Sequence, residues 1–100
     1  MKDLRDLQRL AKEMQVGMER AQAQLAEETV EGTAGGGAVT VVMTGTQEIR
    51  SVRIAPEAVD PSGVETLQDL VLAATRDALT RSKELASSKL GGITGGLQLP

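Results

Sequence analysis

Phenylalanine, tyrosine and tryptophan are all absent from this chain of 100 residues. Its core has to be assembled from Leu, Val, Ile, Met and Ala, without the large areas that aromatic rings bury. A small domain removes a low fraction of its surface from water, so a core this poor in large side chains gains from a partner. A homodimer is the default expectation. The missing rings also restrict the ligand. Binders of single-stranded nucleic acid usually stack bases on aromatic side chains. Any nucleic acid held by this chain is therefore held by its phosphates, with little dependence on sequence.

Cysteine and histidine are absent too. Their absence excludes disulfides, a thiolate nucleophile and a Cys/His zinc site, and it removes the commonest general acid–base side chain. The expectation is no catalytic residue, no metal ligand, no cofactor, no small-molecule substrate and no enzymatic activity. No apolar run reaches transmembrane length, and no signal peptide opens the chain, which points to a cytoplasmic protein without a membrane partner. The net charge is −3, from 11 basic and 14 acidic residues. Binding to nucleic acid thus requires the basic residues to be segregated onto one surface.

What is present falls into two helical patterns around a β-rich centre. In the run 38–54, AVTVVMTGTQEIRSVRI, Val39, Val41 and Met43 fall on one face of a strand, and Thr40, Val42 and Thr44 on the other. Gly45 interrupts the run and a second β-rich stretch follows, the pattern of an antiparallel hairpin. Val41 and Val52 are expected on the core face. A lone hairpin is marginal in water and needs a third strand or a covering helix. The segment 28–33, ETVEGT, is the candidate strand, joined to the hairpin through Gly35, Gly36 and Gly37.

Before the strands, Leu4, Leu7, Ala11, Met14, Met18, Ala21 and Leu25 alternate spacings of three and four, an a/d seam over three heptads. A helix over about 2–28 spans roughly 40 Å, more than a three-stranded sheet needs as cover, so part of it should project or pair with a second copy. After the strands, Pro56–Val59 reads as a single helical turn, and Asp60-Pro61 as a cap followed by proline at the first helical position. A second helix over about 62–90 carries Leu67, Leu70, Val71, Ala74, Ala78 and Leu85 on one side. Leu72 and Leu79 fall elsewhere, so its middle is expected to be buried on more than one face. Gly91 and Gly92 are expected to stop it, leaving 91–100 as a flexible tail.

Two clusters carry no chemistry. Gly32 to Gly37 has neither P-loop nor dinucleotide-binding spacing and reads as a strand connection. Glu27, Glu28 and Glu31 lack a convergent second acidic segment and read as a solvated face. The sharpest signal is basic. Lys2, Arg5, Arg9 and Lys12 are spaced three, four and three, so they form one stripe on the side away from the seam. A row of this kind meets a row of phosphates, although Asp3, Asp6 and Glu13 lie close by and dilute the field.

Taken together, these segments resemble the YbaB/EbfC family of nucleoid-associated proteins along nearly the whole chain. The first helix LRDLQRLAKEMQVGMERAQAQLAE resembles the family's opening helix. Val39 to Pro56, with Gly45 in the turn and Arg50, Val52 and Ile54 as R-x-V-x-I, resembles its hairpin. Asp69, Leu70, Val71, Ala73, Ala74, Asp77 and Ala78 resemble the D-L-V-x-A-A-x-x-D-A segment of its second helix, and Gly96 to Pro100 its G-[ML]-Q-L-P ending. Glycine-rich residues before the first helix and a tail beyond Q-L-P, both usual in the family, are not in this sequence.

The resemblance implies an α+β protomer, α-β-β-β-α with a three-stranded antiparallel sheet, in a tweezer-like homodimer. It also implies binding to double-stranded DNA with little sequence preference, residence in the nucleoid, and effects on nucleoid organisation, DNA conformation, gene expression and DNA protection. The expected organisation is one domain over 1–90, with strands about 28–33, 39–44 and 48–54. The DNA-binding candidates remain Lys2, Arg5, Arg9 and Lys12, from spacing alone. The rival reading is a coiled-coil adaptor that docks another protein and binds no DNA.

Overall fold

The structure, a computed structural model, describes residues 3–94, with side chains to residue 91. Helix α1 (Leu4–Glu27) is followed by strands β1 (Thr29–Ala34), β2 (Val39–Thr44) and β3 (Ile49–Ile54). Two 3-10 turns, Pro56–Ala58 and Pro61–Gly63, lead into helix α2 (Val64–Thr94). The sheet is an antiparallel meander in the order β1-β2-β3. This is the expected α-β-β-β-α order.

Local chemistry sets the boundaries. Asp3 caps α1 by accepting a hydrogen bond from the Asp6 amide at 3.0 Å, which satisfies one of the orphan donors of the first turn. The Glu28 amide donates to the Gln24 carbonyl, so Glu28 closes the helix and β1 starts one residue later than expected. The Glu48 amide donates to Thr44 Oγ1 at 3.1 Å, which keeps Glu48 in the turn and starts β3 at Ile49. Asp60 accepts from the amide and the hydroxyl of Ser62. It caps the second 3-10 turn, and α2 follows directly at Val64. At its other end α2 continues through Gly91 and Gly92 to Thr94, a correction to the expected stop at residue 90. Each helical glycine costs only about 1 kcal/mol relative to alanine, and α2 arrives with many established turns behind it.

Three glycines in a row make the β1–β2 turn. Gly35, Gly36 and Gly37 have φ of +65°, +67° and +94°, the left-handed region that other residues enter at a cost. Gly45 serves a different purpose. The left-handed φ of the β2–β3 turn falls on Gln47, at +68°, while the Gly45 amide donates to the carbonyls of Leu25 and Glu28. A Cβ at Gly45 would sit 2.7 Å from Leu25 Cδ2. Gly45 is the point where the hairpin touches the end of α1.

The core is one-sided. Val39, Val41 and Met43 of β2 are buried against Ala74 and Ala78 of α2, with Val30, Ala34, Leu67, Leu70, Val71 and Leu79 packed around them. Gly32 of β1 lets the helix approach: a Cβ there would collide with the Ala74 carbonyl oxygen and the Ala78 amide. Asp77, between those alanines, accepts from the Thr33 amide at 3.0 Å and from Arg81 Nε at 3.3 Å. These contacts hold its carboxyl below the usual 3.8, the Thr33 amide contributing most.

β3 departs from expectation. Val52 pairs with Val41 and so points to the same side of the sheet, but α2 does not cover it. All six residues of β3 are exposed, Val52 at 49%. α2 lies over β1 and β2 and stops short of β3. Its Leu72, expected to be buried on a second helix face, is also 49% exposed. Between α2 and β3 runs an apolar trough of about 430 Å³ lined by Ile54, Val64, Leu67, Val71 and Leu72.

Candidate nucleic-acid interface

α1 projects from this body. Only Ala21 and Leu25 of its 24 residues are buried, and the molecule is 71 Å long but only 27 by 16 Å across. The root of the arm is clamped. Arg50 Nη2 donates to the Ala26 carbonyl at 3.0 Å. Lys89 Nζ of α2 donates to Gln24 Oε1 at 3.0 Å and to Glu28 Oε1 at 2.8 Å. The Ser82 hydroxyl of α2, itself buried, donates to the Thr44 carbonyl. Cations at the end of α1 suit its free carbonyls and the negative end of its dipole. Glu28, expected on a solvated face, is thus part of the clamp.

Beyond the clamp, Arg5, Arg9 and Lys12 are exposed on α1. Lys2 lies outside the described residues. Arg9 is 3.4 Å from Asp6 Oδ1. Its side chain is 71% exposed, and a surface pair of this kind contributes little and exchanges readily with another anion. Among the described residues, Arg5 and Lys12 have neither ion pair nor hydrogen bond. Spacing alone did not single out Arg20. It shares a shallow surface groove of about 300 Å³ with Arg9, Lys12, Glu13 and Val16, and it too is unpaired among the described residues. The signal was Lys12, Val16 and Arg20 at successive intervals of four, masked by the valine between the two charges.

Of the other cations, Arg50 and Lys89 hold elements together, through the Ala26 carbonyl and through Gln24 and Glu28. Arg81 pairs with Asp77 within α2, and Arg53, Arg76 and Lys83 are exposed on the body. The row Arg5, Arg9, Lys12 and Arg20 has no structural duty of that weight. It lies along one rigid arm at helical spacing, with Asp6 and Glu13 at its border. Such a row can neutralise successive phosphates, and it presents no flat ring on which a base could stack.

The YbaB/EbfC DNA-binding family matches residues 1–97. The chain belongs to that family. It is a family of DNA-binding proteins and not of enzymes. Among its curated relatives, a nucleoid-associated protein of Roseiflexus sp. (strain RS-1) is 53% identical over 96 residues, covering 96% of this chain and 95% of the relative. One from Bacillus cereus (strain B4264) is 55% identical over 83 residues, covering 83% of this chain and 76% of the relative. The crystal structure of the uncharacterized protein HP0035 from Helicobacter pylori superposes with a TM-score of 0.75 at 18% identity, over 98% of this chain and all of that one. That likeness establishes the shared fold. In this YbaB/EbfC chain, the D-L-V-x-A-A-x-x-D-A segment supplies the contacts that seat α2 on the sheet: Ala74 and Ala78 against Gly32, and Asp77 on Thr33. No helix among the described residues is long and apolar enough to cross a membrane.

Proposed function

We propose that this protein is a nucleoid-associated protein that binds duplex DNA through its phosphate backbone, using the α1 arms of a homodimer. The observation that carries the reading is the exposed row Arg5, Arg9, Lys12 and Arg20 on a projecting helix, in a chain that is acidic overall. Lys2 belongs to the same row by spacing. Phosphate contacts position a protein on DNA without reading its sequence, and an aromatic-free arm offers no stacking platform, so sequence preference is low. The relatives named as nucleoid-associated proteins support localisation in the nucleoid. Effects on nucleoid organisation, DNA conformation, gene expression and DNA protection follow from coating DNA in this way.

The homodimer is supported by the bare side of the body. β3 is an edge strand with apolar Ile49, Val52 and Ile54 on the core face and the trough beside them. A second copy is the natural cover, because a two-fold arrangement lays the same uncharged patch on itself. It also extends a core that contains only five buried residues in its main cluster.

The test is a gel-shift titration at several salt concentrations. If Lys2, Arg5, Arg9, Lys12 and Arg20 of both protomers each neutralise one phosphate, log affinity falls against log salt with a slope of about −9. Changing Arg5 and Arg9 together to Ala should flatten the slope to about −5, weaken binding to unrelated duplexes by similar factors, and leave the fold intact. A double variant with the parent's affinity and slope, or a loss confined to one sequence, would remove the row from the interface.

A further inference from the structure

Among the described residues, nothing covers the outer end of the α1 seam. Leu4 and Leu7 are 68% and 54% exposed, and Leu10 beside them is exposed as well. Deeper along the same seam, Met14 and Met18 are half-buried and Ala21 and Leu25 are buried. The reason is reach. α2 runs back along α1 from Ser82, at the sheet, to Lys89 beside Gln24 and Glu28. Thr94 lies only about 8 Å further on, whereas Leu10 lies about 21 Å beyond Gln24 on α1. The described part of α2 therefore covers the root of the seam and leaves the tip bare.

We propose that the bare tip pairs with the α1 tip of a copy from another dimer, in antiparallel register, so that two DNA-bound dimers are linked arm to arm. The spacing closes on itself. Leu4 and Ala11 occupy one seam position of the heptad, Leu7 and Met14 the other. In an antiparallel pair, Leu4 meets Met14 and Leu7 meets Ala11, and the two-fold symmetry repeats both contacts. The charges point to a second copy as the occupant. The positions flanking the seam hold Gln8, Leu10 and Gln15, with Asp3 retained at the cap of α1. Arg5, Asp6, Arg9, Lys12 and Glu13 all lie further round the helix. Two copies approach without like-charge repulsion, and a foreign helix chosen by charge finds nothing at the flanking positions to read. The basic row remains on the outer side of each arm, free for its own duplex. The contact is far smaller than the roughly 800 Å² per partner of a stable interface. It is accordingly weak between free molecules and is populated when DNA concentrates the arms.

The experiment uses the full chain. Leu4 and Leu7 are replaced together by Gln, a good helix former, at two positions that touch no core residue. Two readouts are compared: affinity for one short duplex, and capture of a free labelled duplex by a bead-tethered one. Short-duplex affinity should stay within about twofold of the parent while capture falls about tenfold or more, the share that the linked arms contribute. The register is tested separately. The chain has no cysteine, so Leu7→Cys and Ala11→Cys each introduce the only thiol. Under mild oxidation of concentrated protein without DNA, a mixture of the two should give a mixed disulfide several-fold in excess of either self-disulfide. Unchanged capture by the double variant overturns the proposal. So does loss of capture together with loss of short-duplex binding, or the absence of a preferred mixed disulfide. A parent that binds short duplexes but never captures a second one also overturns it, and leaves the DNA-binding reading standing. If instead the parent binds no duplex at all, that reading fails, and the disulfide result still decides the pairing.

Discussion

Two glycines separate two physical demands that look alike in a sequence. At Gly36 the demand is conformational: φ is +67° and nothing lies within 4 Å of where a Cβ would be. Ala there should cost about 1–2 kcal/mol, the price of a left-handed residue. At Gly32 the demand is space against helix backbone, which cannot step aside as a flexible side chain does. Gly32→Ala should therefore destabilise by about 3 kcal/mol or more and lower the melting temperature by about 10 °C or more, clearly beyond Gly36→Ala in the same thermal scan. Equal losses at the two sites would mean that α2 does not press on β1 as described. Asp77 gives a pH test. Its carboxyl is held below the ordinary 3.8 by the Thr33 amide and then by Arg81. Its stabilising contribution is fully present above the unfolded value and is lost as pH falls through the lower folded one. Unfolding followed from about pH 5 to about pH 3 should show an acid-induced loss that Asp77→Asn reduces. An identical acid limb in the variant would exclude Asp77 from the linkage.

At the scale of elements, the two helices divide the work unequally. α2 carries the core and, through Ser82 and Lys89, the attachment of the arm. α1 carries the basic row and contributes little burial. The clamp at its root combines Lys89 on Glu28 and Gln24, Arg50 on the Ala26 carbonyl, and the Gly45 amide on Leu25 and Glu28. Three elements thereby set the direction of one helix, so the cations of the arm are carried on a fixed line and not on a loose tether. Preorganisation of this kind spares a binding surface the ordering cost it would otherwise meet on contact with DNA.

At the scale of the whole molecule, the unpaired edge of β3 and the trough beside it define the expected dimer. An apolar edge strand left open is a template for pairing. Light scattering should give twice the 10.5 kDa chain mass at tens of micromolar. Val52→Asp places a charge in the middle of the bare patch, where burial without a partner is costly. It should yield folded monomers, because Val52 is half-exposed in the protomer and the main core cluster does not include it. Loss of the second arm should also roughly halve the salt slope of DNA binding. A parent of monomer mass, or a Val52→Asp dimer as stable as the parent, would place the interface elsewhere or remove it.

The order of elements and the hairpin were legible in the sequence, and so was the helical spacing that lines up Arg5, Arg9 and Lys12, because each depends on neighbours close along the chain. Alternation of valines and threonines determines a strand, the three–four spacing determines a helical face, and Asp60-Pro61 determines a start. The absence of His, Cys and aromatics determined which chemistries were out of reach. Tertiary structure decided what these faces meet. The α1 seam looked uniform over three heptads, but the described part of α2 covers only its root, because its reach ends well short of the tip. Val52 stood on the core side as its alternation required, yet remained bare because one helix cannot cover three strands. Glu28 looked like part of a solvated face until distant segments brought Lys89 to it at the foot of the arm. Gly32 and Gly45 looked like turn residues until the helices they touch were in place. Burial and partnership are properties of surfaces brought together from far along the chain, and local pattern does not encode that distance.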